Sequence, residues 1–247
     1  GARSRQSAAA VTAPKTVPLV QFKSPSADTG GGGQKHLTNS LGMKFLPVPG
    51  TKVLFCIHET RQGDYAAYAA EVTDLNDNWR RNRGPFEDDH PVSFINLEEA
   101  QRFCAWLSRK EGKTYRLPTD HEWSLAVGLD EKAPLTHETL QAGPLNPTHY
   151  PWNGRFPPEA GDGNYAGKEW LKSEARHHSK AQLSGCDDDF LVTSPVMSFR
   201  PNPFGLYDMG GNLEELCVFP PDAEGKRTEV LRGAWFYTQT TAENLLS

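Results

Sequence analysis

The sequence predicts an α+β domain in which loops outnumber regular elements and the strands are short and antiparallel. Three observations support this class. The 247 residues include 22 glycines and 19 prolines, which favours a loop-rich fold over a helical bundle. Six tryptophans and an aromatic content of 10% indicate a substantial core. Capping patterns mark only a few helices, and short apolar runs beside prolines mark the strands.

The N-terminal stretch, residues 1–38, is predicted to be a flexible linker or tail, and the folded domain is predicted to span residues 39–247. The stretch is rich in Ala, Ser, Thr and Pro, runs through four glycines from Gly30 to Gly33, and has one aromatic residue, Phe22. It carries too little apolar surface to offset the entropy lost on ordering. Such linkers join modules, so we expect a fused module N-terminal to it.

The domain is predicted to begin with a β-hairpin followed by a short helix. Residues 43–49 read as a strand with edge prolines, and residues 52–57 read as its partner across a Pro-Gly-Thr turn. Thr60 is the predicted N-cap of the helix, which carries Tyr65 and Tyr68.

Two further helices are predicted from capping boxes. Asn96 followed by Glu99 opens the clearest helix of the chain, in which apolar residues recur at helical spacing until Gly112 ends it. Thr119 followed by Glu122 repeats the pattern and opens another helix.

The second half of the domain is predicted to consist mainly of loops. Residues 130–194 are rich in Gly, Pro, Asn and Asp throughout. Strand patterns return at residues 192–199 and 229–235.

Between these two strand patterns, residues 202–217 place acidic side chains around one bend. Gly210 and Gly211 allow positive φ or close backbone approach there. Oxygen ligands or turn caps are offered there by Asp208, Asn212, Glu214 and Glu215. The segment therefore predicts a rigid corner, a site for a hard cation, or both.

Charge and cysteine spacing exclude several classes of function. The net charge is −5 and no basic stripe occurs, so a nucleic-acid partner is not expected. No apolar run approaches the 18 residues of a membrane span. The four cysteines form no C-x-x-C pair, which argues against a structural zinc site and favours buried thiols.

Six short motifs follow one another in order along the predicted domain. They are residues 39–45, Pro91–Phe94 with Ala100–Cys104, Tyr115–Trp123, Tyr150–Trp152, Asn202–Asn212 and Val230–Gly233. In this order they resemble the formylglycine-generating enzyme (sulfatase-modifying factor) domain family, and most of all its bacterial members fused behind another module, often a protein kinase. The resemblance implies a C-type-lectin-like fold with few helices and a twisted antiparallel sheet.

The resemblance also sets an expectation for copper. Active members oxidise a sulfatase cysteine with molecular oxygen, using copper held by two cysteine thiolates, which are soft ligands that suit Cu(I). These cysteines follow the segment that matches residues 230–235, and here residues 236–247 contain none. Copper is therefore not expected in this chain, and a non-catalytic module for ligand binding, protein binding or sensing is predicted.

Two alternatives remain open. The domain is predicted to lack its usual C-terminal end, so a copper- and oxygen-dependent oxidase with catalytic cysteines beyond Ser247 is the main alternative. An iron-dependent oxidase would need a His-x-x-x-His-x-Glu cluster, which the sequence does not contain.

The resemblance further implies two structural calcium sites. The first would use the Asp188 side chain and the Phe190 carbonyl, with other ligands from residues 165–168. The second would lie at the bend, and its ligands would be the carboxylates of Asp208 and Glu215 and the carbonyls of Gly211 and Leu213. Hard oxygen ligands of this kind suit Ca²⁺. The alternative is that these acids cap turns and face solvent.

Overall fold

The computed structural model of the protein describes residues 36–81, 87–129, 150–152, 157–167, 169, 187–221, 223–225 and 227–236. Helices and strands occur in one order along these residues: β1 (Leu37–Thr38), β2 (Lys44–Pro47), β3 (Leu54–Cys56), α1 (Gln62–Ala69), a 3-10 turn (Asn78–Arg80), α2 (Leu97–Glu111), α3 (Asp120–Ala126), β4 (Glu215–Val218) and β5 (Glu229–Arg232). The predicted α+β class with short antiparallel strands is confirmed.

Strands β1, β2 and β3 form an antiparallel sheet in that order. Phe45 of β2 stands opposite Cys56 of β3, as the predicted hairpin requires. The turn between them uses Gly50 at φ 82°, and the Thr51 amide donates to the Val48 carbonyl at 3.1 Å. Strand β1 includes the last two residues of the stretch predicted as a linker.

Helices α2 and α3 begin where their capping boxes predict. The Asn96 side chain accepts from the Glu99 amide at 2.9 Å, and the Thr119 hydroxyl accepts from the Glu122 amide at 3.2 Å. Helix α2 ends at Gly112 in the left-handed conformation, at φ 62°. No helix in the described ranges is both long and apolar enough to cross a membrane.

Two details of the predicted elements are wrong. Arg61, not Thr60, is the N-cap of α1, because the Asp64 carboxylate accepts from the Arg61 amide at 3.0 Å. Residues 192–199 form a loop rather than a strand, since Met197 has φ 64° and the Ser194 amide donates to a side chain instead of a neighbouring strand.

Two apolar clusters form the core on either side of the β2–β3 hairpin. Helices α1 and α2 supply the first, in which Tyr65 stacks on Phe103 with ring centroids 5.7 Å apart. Helix α3 and a second, two-stranded sheet supply the other apolar cluster, around Trp123, Leu206 and Cys217. Strands β4 and β5 pair antiparallel in that second sheet. The two clusters bring the end of β3 close to the bend at residues 202–217.

Candidate functional site

The first half of the 202–217 segment is a tight turn fixed to helix α3. Oδ1 of Asn202 accepts from the amides of Phe204 and Leu206 at 2.9 and 3.1 Å. Nδ2 of Asn202 donates to the Ala126 carbonyl at the end of α3, at 2.8 Å. One buried amide side chain therefore holds the turn and anchors it to the core.

The two-glycine bend is a crowded corner. Gly211 has φ 82°, and a Cβ built there would lie 2.5 Å from the Asn164 carbonyl oxygen. Asn212 follows at φ 61°, and its amide donates to the same carbonyl at 2.9 Å. Oδ1 of Asn212 accepts from the Ser194 amide at 2.9 Å. The rigid corner that the sequence predicts is present.

Glu59, just after β3, is the functional residue that sequence reasoning missed. Its Oε2 accepts from Nδ2 of Asn212 at 2.7 Å, and its Oε1 accepts from the Leu213 amide at 3.1 Å. Burial, together with the negative charges of Asp208 and Glu215, raises the pKa of the Glu59 carboxyl well above its usual value. Three acidic side chains, those of Glu59, Asp208 and Glu215, therefore lie at the bend, whereas the sequence pointed to the last two.

Asp208 carries an oxygen that no described residue satisfies. Its backbone has φ 57°, and its Oδ2 accepts from the Met197 amide at 2.8 Å. Oδ1 is buried and has no hydrogen-bond partner in the part of the chain that the structure describes. Burial raises the pKa of the Asp208 carboxyl to about 6. An unsatisfied buried carboxylate oxygen is what a bound cation would satisfy.

Glu215, the first residue of β4, accepts a hydrogen bond from Nε1 of Trp123. Burial raises the pKa of its carboxyl to about 7, and the charge of Asp208 acts in the same direction. Three acids in one poorly solvated region can be stabilised by protonation or by a cation.

The predicted ligands of the second calcium site lie around this one bend. The carbonyls of Gly211 and Leu213 accept no hydrogen bond from the described residues. The carboxylates of Glu59, Asp208 and Glu215 do not all lie within 4.8 Å of one another. Any one ion would therefore combine one or two of these carboxylates with backbone oxygens.

The first predicted calcium loop has a different arrangement. Both oxygens of Asp188 accept backbone amides, from Tyr165 at 2.7 Å and from Phe190 at 2.9 Å. Asp188 is buried and caps a turn through these bonds, and each of its oxygens keeps a further lone pair that an ion would use. Burial raises the pKa of the Asp188 carboxyl to about 7. Lys168 of the neighbouring loop lies outside the described residues.

A groove of about 730 Å³ opens beside the acids. It lies between the β2–β3 hairpin, helix α2 and the second sheet. Leu54 and Leu231 line it and keep 38% and 49% of their surface exposed. The lining also holds two sets of charges: the bases Lys52, Lys113 and Arg116 and the acids Glu59, Glu122, Glu214 and Glu215. The groove thus has an apolar body and charged side chains of both signs.

Residues 38–244 match the family described as sulfatase-modifying factor enzyme 1-like domain. The chain belongs to this family. Its C-type-lectin-like fold, which the resemblance implied, therefore applies to this domain.

Individual relatives of this sulfatase-modifying factor domain differ in their named activities. A mouse (Mus musculus) protein named inactive C-alpha-formylglycine-generating enzyme 2 is 31% identical over 173 residues, 67% of this chain and 46% of that protein. The formylglycine-generating enzyme of Thermomonospora curvata is 26% identical over 156 residues, 61% of this chain and 42% of that enzyme. Serine/threonine-protein kinase pkn1 of Chlamydia caviae is 29% identical over 128 residues, 52% of this chain and 13% of the kinase.

The matched region spans less than half the length of each of these three relatives. Among solved structures, PvdO from Pseudomonas aeruginosa overlaps 82% of this chain and 86% of its own chain, with a TM-score of 0.49 at 18% identity.

Three of the four cysteines of this sulfatase-modifying factor domain lie among the described residues. Cys56, Cys104 and Cys217 are unpaired thiols. Burial raises the pKa of Cys56 to about 12 and that of Cys104 to about 11, and it raises the pKa of Cys217 well above its usual value. A metal that binds such thiols must first displace their protons, which lowers its affinity for them. Cys186 lies outside the described residues.

Proposed function

We propose that this domain is a non-catalytic member of the sulfatase-modifying factor family and acts as a binding or sensing module. The observation that carries the proposal is the lack of cysteine in the stretch that follows strand β5. Residues 236–247 follow the segment after which the family resemblance places the copper-binding cysteines, and they contain no cysteine. The two thiolates that copper-dependent oxidation needs therefore have no candidates among these residues.

The groove is the binding surface in this proposal. Its apolar body, lined by Leu54 and Leu231, is flanked by charges of both signs. Strand β3 is an edge strand of its sheet in the described part of the chain. An extended protein segment could pair with such an edge while its side chains enter the apolar body. We therefore favour an extended, mainly apolar protein segment as the ligand.

Relatives support both parts of the proposal. The mouse relative is named as an inactive member of the family, so loss of oxidation within this family has a precedent. The Chlamydia caviae kinase is matched over only 13% of its length. The domain is accordingly proposed to serve as one module of a larger protein, with the fused module on the N-terminal side.

Calcium is proposed as a structural ion at the bend. Oδ1 of Asp208 and the carbonyls of Gly211 and Leu213 accept no hydrogen bond from the residues that the structure describes, and they would supply hard oxygen ligands. Glu215 adds a second carboxylate in the same region. The ion would offset the repulsion between the carboxylates at the bend. It would thereby stabilise the bend, which borders the groove. Asp188 is a weaker candidate, since both of its oxygens already accept amides.

The absence of oxidation is tested on the intact chain with a cysteine-containing sulfatase peptide, copper and oxygen. Mass spectrometry of the peptide is expected to show unchanged cysteine. The Thermomonospora curvata enzyme, run in parallel, confirms that the peptide and copper are competent. Conversion of the cysteine by this chain would favour the oxidase alternative.

Binding in the groove is tested by selecting peptides from a random display library. The wild-type domain is expected to enrich apolar peptides that Leu231→Glu does not bind. Leu191→Glu is the matched control, because Leu191 is 43% exposed but does not line the groove. Failure to enrich any peptide, or equal loss with both variants, would contradict a groove ligand of this kind.

A further inference from the structure

We propose that Glu87, Asp89 and His90 form a binding site for a divalent transition-metal ion, with Zn²⁺ as its probe. Each residue offers one ligand atom, and these atoms all lie within 4.8 Å of one another. In the described ranges this is the one group of three or more such residues that meets that distance. The site is distinct from the bend at residues 202–217 and does not rest on the proposed function.

The donor set distinguishes this site from the calcium ligands. It combines one imidazole nitrogen with two carboxylate oxygens, and imidazole suits zinc, nickel and copper rather than calcium. Ligands about 2.1 Å from a tetrahedral zinc lie roughly 3.4 Å apart. The Glu87 side chain is 61% exposed, so it can rotate to close the remaining distance. The two negative charges match a divalent ion.

His90 is held as a metal-binding imidazole usually is. The residue is 3% exposed, and its Nδ1 lies 3.1 Å from the hydroxyl of Thr193. This contact leaves Nε2 on the side of the Glu87 carboxylate. Nε2 lies 3.8 Å from Oε2 of Glu87, which is longer than a hydrogen bond. An oxygen partner on the other ring nitrogen fixes the tautomer and orientation of metal-bound histidines.

The backbone around the three ligands is already fixed. The His90 amide donates to the Glu87 carbonyl at 3.1 Å, which closes a turn and places both side chains on one side. The His90 carbonyl accepts from the Gln62 amide at 2.8 Å, and the Asp89 carbonyl accepts from the Val196 amide at 2.9 Å. An ion would therefore meet ligands whose main chain needs little reordering.

One neighbouring cation could compete with the ion. The charge of Asp89 raises the pKa of Arg61, although hydrogen bonding to Asp64 is the larger cause. Nε and Nη2 of Arg61 donate to Asp64 at 2.9 and 2.8 Å. Because these groups are engaged with Asp64, Arg61 does not neutralise the cluster directly.

Zinc titration calorimetry on the EDTA-treated, dialysed domain tests the site. One Zn²⁺ is expected to bind the wild-type domain and Asp88→Asn, which changes an exposed acid outside the ligand set. Glu87→Gln and Asp89→Asn are expected to weaken binding by more than roughly tenfold, since even an outer partner of a metal ligand contributes 10–100-fold. Both ligands are exposed, so these variants should keep the fold, as circular dichroism would show.

The visible absorption of bound Co²⁺ provides a spectroscopic test of the same site. Co²⁺ is expected to give visible ligand-field bands in the wild type that His90→Gln loses. The sequence also carries an adjacent histidine pair, His177 and His178, which is a competing metal ligand outside the cluster. The tandem His177→Ala, His178→Ala variant is expected to keep the bands and the zinc affinity. No zinc binding by the wild type, unchanged affinity in both Glu87→Gln and Asp89→Asn, or loss of binding in the tandem variant would each overturn the proposal.

Discussion

Asn212 donates a hydrogen bond from its Nδ2 to Oε2 of Glu59, 2.7 Å away and 153 positions earlier in the chain. The contact joins Glu59, three residues beyond the end of β3, to the bend at residues 202–217. The same glutamate accepts the Leu213 amide, and the same asparagine accepts the Ser194 amide. This pair therefore holds three separated segments in one place.

Removing the Asn212 side chain should lower the stability of the folded domain. Asn212→Ala leaves Glu59 without one donor and the Ser194 amide without its acceptor, at a residue whose φ of 61° suits asparagine better than alanine. We expect a loss of about 2–4 kcal/mol in the free energy of unfolding. Urea unfolding measures it, with Asn78→Ala at an exposed position as the control, which should change stability by less than about 0.5 kcal/mol. Equal effects of the two substitutions would refute the role given to Asn212.

Calcium should raise the melting temperature of the wild-type domain. At a concentration about 100 times its Kd, an ion that binds only the folded state adds about 2.7 kcal/mol, or several degrees in Tm. Asp208→Asn combined with Glu215→Gln should remove the shift. The matched control, Asp77→Asn with Glu98→Gln, changes two exposed acids and should keep it. No shift in the wild type would end the calcium proposal.

In EDTA, the stability of the domain should fall as pH rises from about 5 to about 7. Burial raises the carboxyl pKa of Asp208 to about 6 and that of Glu215 to about 7. The folded state therefore binds more protons than the unfolded state in this window, and stability decreases with pH by about 1 kcal/mol per unit.

The pKa of His58, which burial lowers, acts in the opposite direction below its ordinary value. Urea unfolding across the window should nevertheless show the net fall. Glu215→Gln should make it shallower without removing it, because the carboxyl pKa values of Glu59, Asp188 and Asp208 are also raised. Calcium should stabilise more at the higher pH, because its ligands must be deprotonated. A rise in stability with pH in EDTA would contradict the raised carboxyl pKa values.

A side chain at Gly211 should damage the corner more than one at another left-handed glycine. Gly211→Ala places a Cβ 2.5 Å from the Asn164 carbonyl oxygen at φ 82°, whereas Gly225, at φ 79°, has nothing within 4 Å of its Cβ position. Gly225→Ala should cost only about 1–2 kcal/mol for the left-handed backbone. In thermal unfolding, the Tm of Gly211→Ala should be clearly lower than that of Gly225→Ala. Similar Tm values for the two variants would contradict the close packing assigned to this corner.

Local patterns predicted the fold where the determining contacts are local. The capping boxes at Asn96 and Thr119 each lie within four residues, so the sequence alone located α2 and α3. Residues 192–199 show the limit of such patterns. Their alternation suggested a strand, but the amides of Ser194 and Met197 donate to the side chains of Asn212 and Asp208.

The sequence predicted only those residues of the candidate site that lie close together along the chain. The acids at 208 and 215 stand out beside the two glycines, and the structure places them at one bend. Glu59 could not be found this way, because it reaches the bend only through the tertiary fold. The cluster of Glu87, Asp89 and His90 lies within four residues, yet the role of His90 depends on the distant Thr193 hydroxyl.

The most direct test of the central claim is an anaerobic Cu(I) titration of the intact chain against a chromophoric chelator. If the domain is a non-catalytic binding module, the chelator should keep its copper, as it should with the Cys56→Ser, Cys104→Ser variant. The Thermomonospora curvata enzyme serves as the copper-binding reference. Withdrawal of one equivalent of Cu(I) from the chelator by this chain, at an affinity typical of two thiolates, would contradict the account and favour an oxidase.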